Sequence, residues 1–564
     1  MSFLADNLAP IMFGSLLLFL LTGFPVAFAL AATGMVFGWI AVELALVPAA
    51  FFSALPLRLY GIMSNDVLLA IPFFTFMGLI LERSRMAEDL LETIGQVFGP
   101  MRGGLAVAVI VVGAMLAATT GVVAASVIAM GLISLPIMLR YGYNRPLACG
   151  TITASGALAQ IIPPSLVLIV IADQLGRSVG DMYRAAFIPA FALVAIYVLA
   201  IGIIAIVRPK WVPALPPEAR IYKEPNGSSG MLSLGVLTAA SVAVGAWWFA
   251  SYETVLTWFG STDPKPPMDE RIVMTLMATI VFAFVVAVID KGLRLKLLSQ
   301  IAQRVTFVLI PPLLLIFLVL GTIFLGIATP TEGGAMGAMG ALILAVARRR
   351  LNLSLTRQAL DSTARLSTFV LFVLIGSTVF ALTFQGIDGG IWVEHLFEQL
   401  PGGQLGFLIF VNVMIFVLGF FLDFFEIAFI LLPLLAPVAE KLGIDLIFFG
   451  VLIAMNLQTS FLTPPFGFAL FYLRSVAAKN DYVDRITRAR IAAVSTIDIY
   501  KGSIAFVVLQ VIMVVAIIWK PEIVTFALDK VEEVDTSNIQ IYQPKEDEEE
   551  EAPPTFGAPA EKKD

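Results

Sequence analysis

Hydrophobic residues recur along the chain in stretches of about 20, separated by short polar segments, from residue 8 to residue 519. A helix of about 20 residues crosses a hydrocarbon core about 30 Å thick, so each stretch predicts a transmembrane helix. The pattern therefore predicts an all-α polytopic membrane protein with about 12 transmembrane helices, at 8–23, 25–45, 68–83, 146–173, 185–207, 232–252, 271–289, 305–326, 331–347, 364–384, 445–473 and 501–519.

Two further apolar segments, 103–139 and 404–439, are about twice as long as one span. Small or charged residues interrupt each of them near its middle. We interpret both as re-entrant helical hairpins that enter and leave the membrane on one face. Two ordinary spans in each segment are the alternative, because either arrangement returns the chain to the same side.

The distribution of basic residues predicts the orientation of these helices. With Lys520 and the residues after it set aside, the hairpin topology places 24 Lys and Arg residues on one side and six on the other. The excess of positive charge marks the cytoplasmic side. The first hairpin then enters from the cytoplasm and the second from outside.

The chain also repeats itself. Segment 135–165 matches segment 435–467 at one offset of 301, which pairs Pro136 with Pro437, Gly142 with Gly443 and Pro163-Pro164 with Pro464-Pro465. Because the two units enter from opposite sides, the halves are predicted to be inverted repeats. The predicted organisation is a first repeat at 1–208, an insertion with two extra helices at 209–300, a second repeat at 301–520 and a tail at 521–564.

Paired helix breaks in inverted repeats are typical of secondary transporters, whose substrate and ion sites lie at the repeat interface. Each Pro-Pro pair removes two backbone donors and predicts a broken helix, at 146–173 and 445–473. Such a break is tolerated in a membrane only where it is buried or lines a cavity. The freed carbonyl oxygens suit Na⁺, and the starts of the half-helices attract anions.

The candidate site of the first repeat joins the hairpin tip to the facing break. Small and hydroxyl residues at the tip allow close backbone approach and supply oxygen ligands. The candidates are Thr119, Thr120, Gly121 and Ser126 at the tip, and Ser155, Gln160, Pro163, Pro164 and Ser165 at the break. Ordinary packing of small residues between membrane helices is the competing interpretation of the tip.

The second hairpin carries Asp423 and Glu426 in an apolar context. Carboxylates inside a membrane are costly and indicate function by default. Asp423 aligns within two residues of Gly121 at the repeat offset, whereas Glu426 could lie at the outer interface. The facing break offers Asn456, Gln458, Thr459, Ser460, Thr463, Pro464 and Pro465.

A further polar break spans residues 326–334 and contains Thr329 and Glu332. Glu332 has two possible roles. It could be a ligand, or a carboxylate that satisfies free N–H groups at the start of the following helix.

Composition narrows the chemistry. The chain is 59% hydrophobic and 13% charged, about half the charge of a soluble protein. Cys149 is its only cysteine and His395 its only histidine, which excludes a cysteine zinc site and a Ser-His-Asp triad. The sequence contains no nucleic-acid-binding motif and no Walker A loop. We expect Na⁺ as the only metal ion, no other cofactor and no enzymatic activity.

A set of short motifs is distributed along both repeats. It consists of Gly23-Phe24-Pro25, Ile71-Pro72-Phe73-Phe74 with Met77-Gly78, Ile162-Pro163-Pro164-Ser165, Ala328-Thr329-Pro330-Thr331-Glu332, Asp423 and Leu462-Thr463-Pro464-Pro465-Phe466-Gly467. In combination these motifs resemble the large membrane subunit of the tripartite ATP-independent periplasmic (TRAP) transporters, and the resemblance covers about 1–208 and 300–519. Gly121-Val122-Val123 replaces the family's common Gly-Ser-Ser and is similar to the mannitol/chloroaromatic or 2-oxo acid and monocarboxylate branch.

This resemblance implies a location, partners and a mechanism. It implies a multi-pass protein of the bacterial cytoplasmic (inner) membrane that works with a small membrane subunit. A periplasmic substrate-binding protein would deliver a small organic anion such as a carboxylate. The hairpins and broken helices would slide as an elevator against the other helices, and sodium entry would drive uptake.

Two other function classes stay open at this point. One is a stand-alone sodium- or proton-coupled carboxylate symporter or antiporter of the wider ion transporter superfamily. The other is a membrane-embedded enzyme that uses Asp423 and Glu426 as a carboxylate pair.

The net charge of −6 comes from the end of the chain. Residues 521–564 contain 13 acidic and four basic residues, and the rest of the chain has a net charge of +3. Such a segment is typical of a solvated, disordered tail, which helix parity places outside.

Overall fold

The described chain is helical apart from one short ribbon, in which Tyr482–Val483 pairs antiparallel with Arg490–Ile491. This computed structural model describes residues 2–222, 224, 229–258, 268–398, 400–484, 486–526 and 528. Met1–Ala527 form one compact unit, and the second unit, Leu528–Asp564, lies outside the described residues except for Leu528. The predicted all-α polytopic class is confirmed.

The first repeat contains eleven α-helices. They are α1 (Ser2–Asp6), α2 (Leu8–Leu21), α3 (Val26–Glu43), α4 (Leu55–Met63), α5 (Ala70–Arg83), α6 (Met86–Phe98), α7 (Gly104–Thr120), α8 (Val123–Arg140), α9 (Arg145–Ala157), α10 (Leu166–Gln174) and α11 (Val179–Val207). Short 3₁₀ helices cover Ala49–Ala54, Asp66–Leu69 and Leu158–Gln160.

The insertion forms two long helices, α12 (Met231–Trp258) and α13 (Met268–Leu293), preceded by 3₁₀ turns at Pro209–Trp211 and Pro217–Ala219. The remaining helices are α14 (Gln300–Phe324), α15 (Pro330–Ala347), α16 (Leu353–Gly386), α17 (Gly389–Glu398), α18 (Gly403–Leu418), α19 (Phe424–Ile430), α20 (Leu432–Lys441), α21 (Leu446–Leu462), α22 (Phe468–Val476), α23 (Thr496–Trp519) and α24 (Glu522–Thr525).

Nine described helices are long and apolar enough to cross a membrane, or up to 11 if each of two bent helix pairs counts as one span. The predicted number of about 12 is higher because four predicted spans contain only shorter helices, whereas one of the nine long helices, α8, lies in predicted hairpin 103–139. Predicted span 68–83 is the 14-residue α5. Predicted span 8–23 is the 14-residue α2, and the two predicted broken helices divide into α9 with α10 and α21 with α22.

Both predicted hairpins are helix–turn–helix structures. Hairpin 1 consists of α7 and α8, which are joined by Gly121 with φ of +60° and by the extended Val122. Hairpin 2 consists of α18 followed by α19 and α20. Whether they re-enter the membrane stays a prediction.

The internal repeat is visible in matching local geometry. Asn144 caps α9 by accepting the Leu147 N–H at 3.2 Å, and Asp445, 301 residues later, caps α21 by accepting the Phe448 N–H at 2.7 Å. Gly142 and Gly443 both have positive φ, and the Pro163–Pro164 and Pro464–Pro465 peptide bonds are both cis. Equivalent positions in the two halves therefore have the same local structure.

Helices of the first repeat pack directly against helices of the second repeat. Hairpin 1 packs through α8 on α22, and α10 packs on α19 and α20 of hairpin 2. Helices α11 and α23 contact each other and pack on the broken helices. We call α7–α11 together with α18–α23 the hairpin block.

The other long helices form a second packed group. Helix α3 packs on α16, α5 on α15, and α13 on α12 and α14. We call α3, α5 and α12–α16 the scaffold. The block meets it where α5 contacts α7 and α16 contacts α19.

Several elements were not anticipated from hydropathy. Helices α4, α6 and α17 are short, and α6 is amphipathic, with Leu90 and Leu91 buried and acidic residues in its first turn. The predicted tail begins at 521, but residues 522–525 form α24, with Val524 fully buried. The rest of the predicted tail, from 529 onward, lies outside the described residues.

Candidate functional site

The tip of hairpin 1 contains a pair of hydroxyl groups. The Thr120 and Ser126 oxygens lie 2.8 Å apart across the turn. Thr119 and Thr120 each donate to the Leu116 carbonyl oxygen at 2.9 Å, and both are buried. The tip thus presents oxygen atoms that are held in fixed positions.

This tip touches the break in the same repeat. A Cβ on Gly121 would lie 3.1 Å from Leu166 Cγ and 3.3 Å from Leu166 N, at the start of α10. The Ser165 hydroxyl donates to the Gln160 carbonyl at 2.7 Å and accepts the Val167 N–H at 3.2 Å. Ser165 therefore joins the two halves of the broken helix beside the tip.

Ser155 and Gln160 are fully buried in the first break. Ser155 donates to the Ile152 carbonyl at 3.0 Å, and a Cβ on Gly113 would lie 2.5 Å from Ser155 Cβ, so α7 and α9 cross closely there. The Gln160 amide oxygen and nitrogen have no hydrogen-bond partner within the described chain. A buried amide without a partner is costly, so this group is available to a ligand or water.

The two carboxylates of hairpin 2 interact through the backbone. The Glu426 Oε2 accepts the Asp423 N–H at 2.9 Å, so Glu426 caps the start of α19. Glu426 is only 8% exposed, whereas Asp423 is half-buried. Within the described chain neither carboxylate forms an ion pair with a basic residue.

Glu426 also lines a cavity of about 650 Å³ between hairpin 2 and the scaffold. Its other walls come from the start of α3 and from α16, including Phe28, Arg365 and Phe369. The cavity lies at the boundary between the hairpin block and the scaffold.

The second break is also lined by oxygen and nitrogen atoms. Asn456 donates to the Asn412 carbonyl of hairpin 2 at 2.6 Å. A Cβ on Gly419 would lie 2.3 Å from the Ser460 hydroxyl oxygen, so the end of α18 contacts this break. The other hydroxyl groups bond along the chain: Thr459 to the Met455 carbonyl, Ser460 to that of Leu457 and Thr463 to that of Thr459. Pro464 follows in the non-helical segment before α22.

The two breaks lie against each other. The 3₁₀ turn Leu158–Gln160 packs on α21, and α10 contacts both α21 and α19. The structure therefore brings the predicted residues of both tips and both breaks into one part of the hairpin block.

Thr329 and Glu332 belong to a different place. They form a capping box at the start of α15, in which Glu332 Oε2 accepts the Thr329 N–H at 2.8 Å and Thr329 Oγ1 accepts the Glu332 N–H at 3.3 Å. Neighbouring Thr331 donates to the Asp66 carbonyl at 2.6 Å, and α15 packs on α5 and α14. Of its two possible roles, Glu332 takes that of a helix-start carboxylate.

Behind the second break, the predicted residue Gln458 is grouped with two buried polar residues that were not predicted, Tyr197 and Gln510. The Gln458 amide, the Gln510 amide and the Tyr197 hydroxyl are fully buried. The Tyr197 hydroxyl lies beside both amides. Gln510 was detectable as a polar residue inside predicted span 501–519, but its neighbours come from distant helices.

The described residues contain no group of three or more His, Cys, Asp or Glu side chains that could hold a metal ion. The available ligands at the tips and breaks are hydroxyl, amide and carbonyl oxygens with two carboxylates. Hard oxygen ligands of this kind suit an alkali or alkaline-earth cation better than a transition metal.

Comparison with known proteins connects this geometry to a family. Residues 13–523 match the family described as "Tripartite ATP-independent periplasmic transporter, DctM component". The chain is 28% identical to the C4-dicarboxylate TRAP transporter large permease protein DctM of Pseudomonas aeruginosa, over 75% of this chain and 80% of that protein. It is 27% identical to the protein of the same name from Rhodobacter capsulatus, over 82% of this chain and 89% of that protein. The isethionate TRAP transporter permease protein DctMQ of Oleidesulfovibrio alaskensis is 23% identical, over 87% of this chain and 64% of that protein.

Proposed function

Because this chain belongs to the DctM component family of the tripartite ATP-independent periplasmic transporters, we propose that it is the membrane subunit that imports a small organic anion with sodium. Members of this family are multi-pass inner-membrane permeases, and the apolar helices described above fit that location. The proposed substrates are carboxylates, such as 2-oxo acids or monocarboxylates.

The observation that carries this proposal is the meeting of the two tips with the two breaks. Thr120 and Ser126 supply paired hydroxyl oxygens at the first tip, and Asp423 and Glu426 supply two carboxyl groups at the second. Two carboxylates without a basic partner in the described chain are stabilised by a bound cation. Sodium bound there would also offset the charge of an incoming organic anion.

Residues of both tips and both breaks would supply the oxygen atoms that bind the ion and the substrate. In the first tip and break these residues are Thr119, Thr120, Gly121, Ser126, Ser155, Gln160, Pro163 and Ser165. In the second they are Asp423, Asn456, Thr459, Ser460, Thr463 and Pro464. Most of their hydroxyl groups already donate a proton to a carbonyl oxygen, which leaves lone pairs for a cation.

Movement of the hairpin block against the scaffold would carry the substrate. The cavity beside Glu426 lies at this boundary, as an elevator mechanism requires. We further propose that a small membrane subunit and a periplasmic binding protein complete the transporter. One relative carries the name permease protein DctMQ, and its matched part is 64% of that protein's length.

Reconstitution tests the proposal. Liposomes containing this chain and its small subunit are given the purified binding protein and labelled pyruvate, 2-oxobutyrate or lactate, with an inward gradient of Na⁺ or K⁺. We expect uptake of at least one carboxylate only with Na⁺ and only with the binding protein. Full uptake without the binding protein would support a stand-alone symporter instead.

A further inference from the structure

Two ion pairs join equivalent elements in the two repeats. Arg140 is the last residue of α8, and its Nε lies 2.9 Å from Asp484 Oδ1 in the segment after α22. Glu440 is near the end of α20, and its Oε1 lies 3.1 Å from Arg177 Nη2 in the segment after α10. Each pair therefore connects a hairpin to the segment that follows the broken helix of the other repeat, with the charges reversed.

The pair at hairpin 1 is buried and supported by further bonds. Its side chains are 17% and 4% exposed. Asp484 Oδ2 also accepts the Ile486 N–H at 3.1 Å, the Thr487 N–H at 2.7 Å and the Thr487 hydroxyl at 2.8 Å. Breaking a buried, multiply bonded ion pair is strongly unfavourable, because it leaves an uncompensated charge.

Hairpin 1 is also closely packed at this end. A Cβ on Gly131 would lie 2.8 Å from Val476 Cγ2 and 2.9 Å from Leu473 Cδ1, so α8 and α22 are in direct contact. The segment after α22 is ordered by its own bonds, including Val494 N–H to the Ala478 carbonyl at 3.0 Å. Hairpin 1 is thus packed on α22 and bonded to a segment that has hydrogen bonds of its own.

The pair at hairpin 2 is exposed. The Arg177 and Glu440 side chains are 42% and 66% exposed, and within the described chain they make no other hydrogen bond. An exposed ion pair of this kind contributes little to stability and weakens further with salt.

We propose that Asp484 is a positioning residue that keeps hairpin 1 fixed to the second repeat, and that hairpin 2 is the part of the site that opens. This inference rests on the transport function proposed above. Hairpin 2 also carries Asp423 and Glu426, so its opening would expose the carboxylates to the solution that supplies the cation.

Hydrogen–deuterium exchange tests the inference without any substrate. The protein in lipid nanodiscs is measured in NaCl and in KCl. We expect residues 419–431 of hairpin 2 to exchange at least tenfold faster than residues 117–126 of hairpin 1 in KCl, and to slow in NaCl. D484N should accelerate exchange in hairpin 1, whereas E440Q should change exchange in hairpin 2 by less than twofold. Equal rates at the two tips, or faster exchange at hairpin 1, would overturn the inference.

Cross-linking provides a second test, in a Cys149→Ala background. In the first variant, a disulfide between Gly131→Cys and Val476→Cys links hairpin 1 to α22. In the second variant, a short bismaleimide joins Arg177→Cys to Glu440→Cys and links hairpin 2 to the segment after α10. We expect sodium-driven uptake to stay within twofold after the first cross-link and to fall at least tenfold after the second. Uptake that survives the second cross-link, or is lost with the first and restored by reductant, would overturn the inference. Absence of uptake in the Cys149→Ala parent, which carries none of these cysteine pairs, would instead contradict the proposed function.

Discussion

The hydroxyl oxygens of Thr120 and Ser126 lie 2.8 Å apart on either side of the turn at Gly121. Each belongs to a different arm of hairpin 1, so the turn alone brings them together. Both are buried beside the break at Ser165. A bound Na⁺ would take both oxygens as ligands without moving the backbone.

Removing these hydroxyls should weaken sodium binding. We expect Thr120→Val and Ser126→Ala each to raise the half-saturating sodium concentration for uptake about tenfold, which corresponds to about 1.4 kcal/mol. Thr151→Val is the matched control, because Thr151 is a buried threonine that bonds only along α9, to the Leu147 carbonyl. An equal shift in the control would contradict a role specific to the tip.

The scaffold touches hairpin 1 at Gly78. A Cβ there would lie 2.5 Å from Thr120 Cα and 2.6 Å from the Thr119 carbonyl oxygen, and backbone cannot yield as a side chain can. We expect Gly78→Ala to lower uptake at least tenfold and to destabilise this arrangement by about 1–3 kcal/mol. Gly202→Ala is the control, because no atom lies within 4 Å of its added Cβ. Uptake assays and thermal unfolding measure both effects, and normal uptake in the Gly78 variant would refute this account of the contact.

The capping box at Thr329 should affect the stability of the fold but not the dependence of uptake on sodium. Thr329→Ala removes the side-chain cap of α15, and loss of such a cap costs about 1 kcal/mol. We expect a lower unfolding temperature with an unchanged half-saturating sodium concentration. A several-fold rise in that concentration would show that Thr329 and Glu332 contribute to the ion site after all.

Asp484 should make stability depend on pH only in strong acid. The pKa of Asp484 is lowered to about 2, mainly because its carboxylate accepts a hydrogen bond from the Thr487 N–H. Burial raises this pKa, whereas hydrogen bonds from the Thr487 hydroxyl and from Arg140 lower it further. An unfolded aspartate has a pKa of about 3.9, so this contribution is fully present above pH ~4 and is lost as pH falls through 2. We expect Asp484→Asn to flatten the fall of the unfolding temperature between pH 4 and pH 2. An equally steep fall in the variant would show that other groups cause it.

The sequence was most informative where chemistry is local. Gly142 recurs as Gly443 and Pro163-Pro164 recurs as Pro464-Pro465, so the repeat and both helix breaks could be recognised from spacing alone. Pro-Pro and Gly also mark the ends of helices without reference to the rest of the fold.

Features that depend on packing could not be predicted in this way. Burial of Glu426 depends on how hairpin 2 lies against α16. The hydrophobic pattern gave no reason to expect that Glu426 would be more buried than Asp423. The grouping of Tyr197, Gln458 and Gln510 requires three helices that are remote in sequence. The ion pair between Arg140 and Asp484 joins residues that are 344 positions apart, and no local sequence pattern indicates that they are in contact.

In the proposed mechanism, sodium bound beside Asp423 between the hairpins and the helix breaks drives uptake of an organic anion. Its most direct test is the initial rate of carboxylate uptake into liposomes as a function of external Na⁺, for the native chain and for Asp423→Asn, with binding protein and small subunit present. We predict saturable dependence on Na⁺ for the native chain, and at least a tenfold higher half-saturating concentration or no uptake for the variant, with both proteins folded to the same extent. Native uptake that proceeds equally well in K⁺, or a variant with unchanged sodium dependence, would contradict the account.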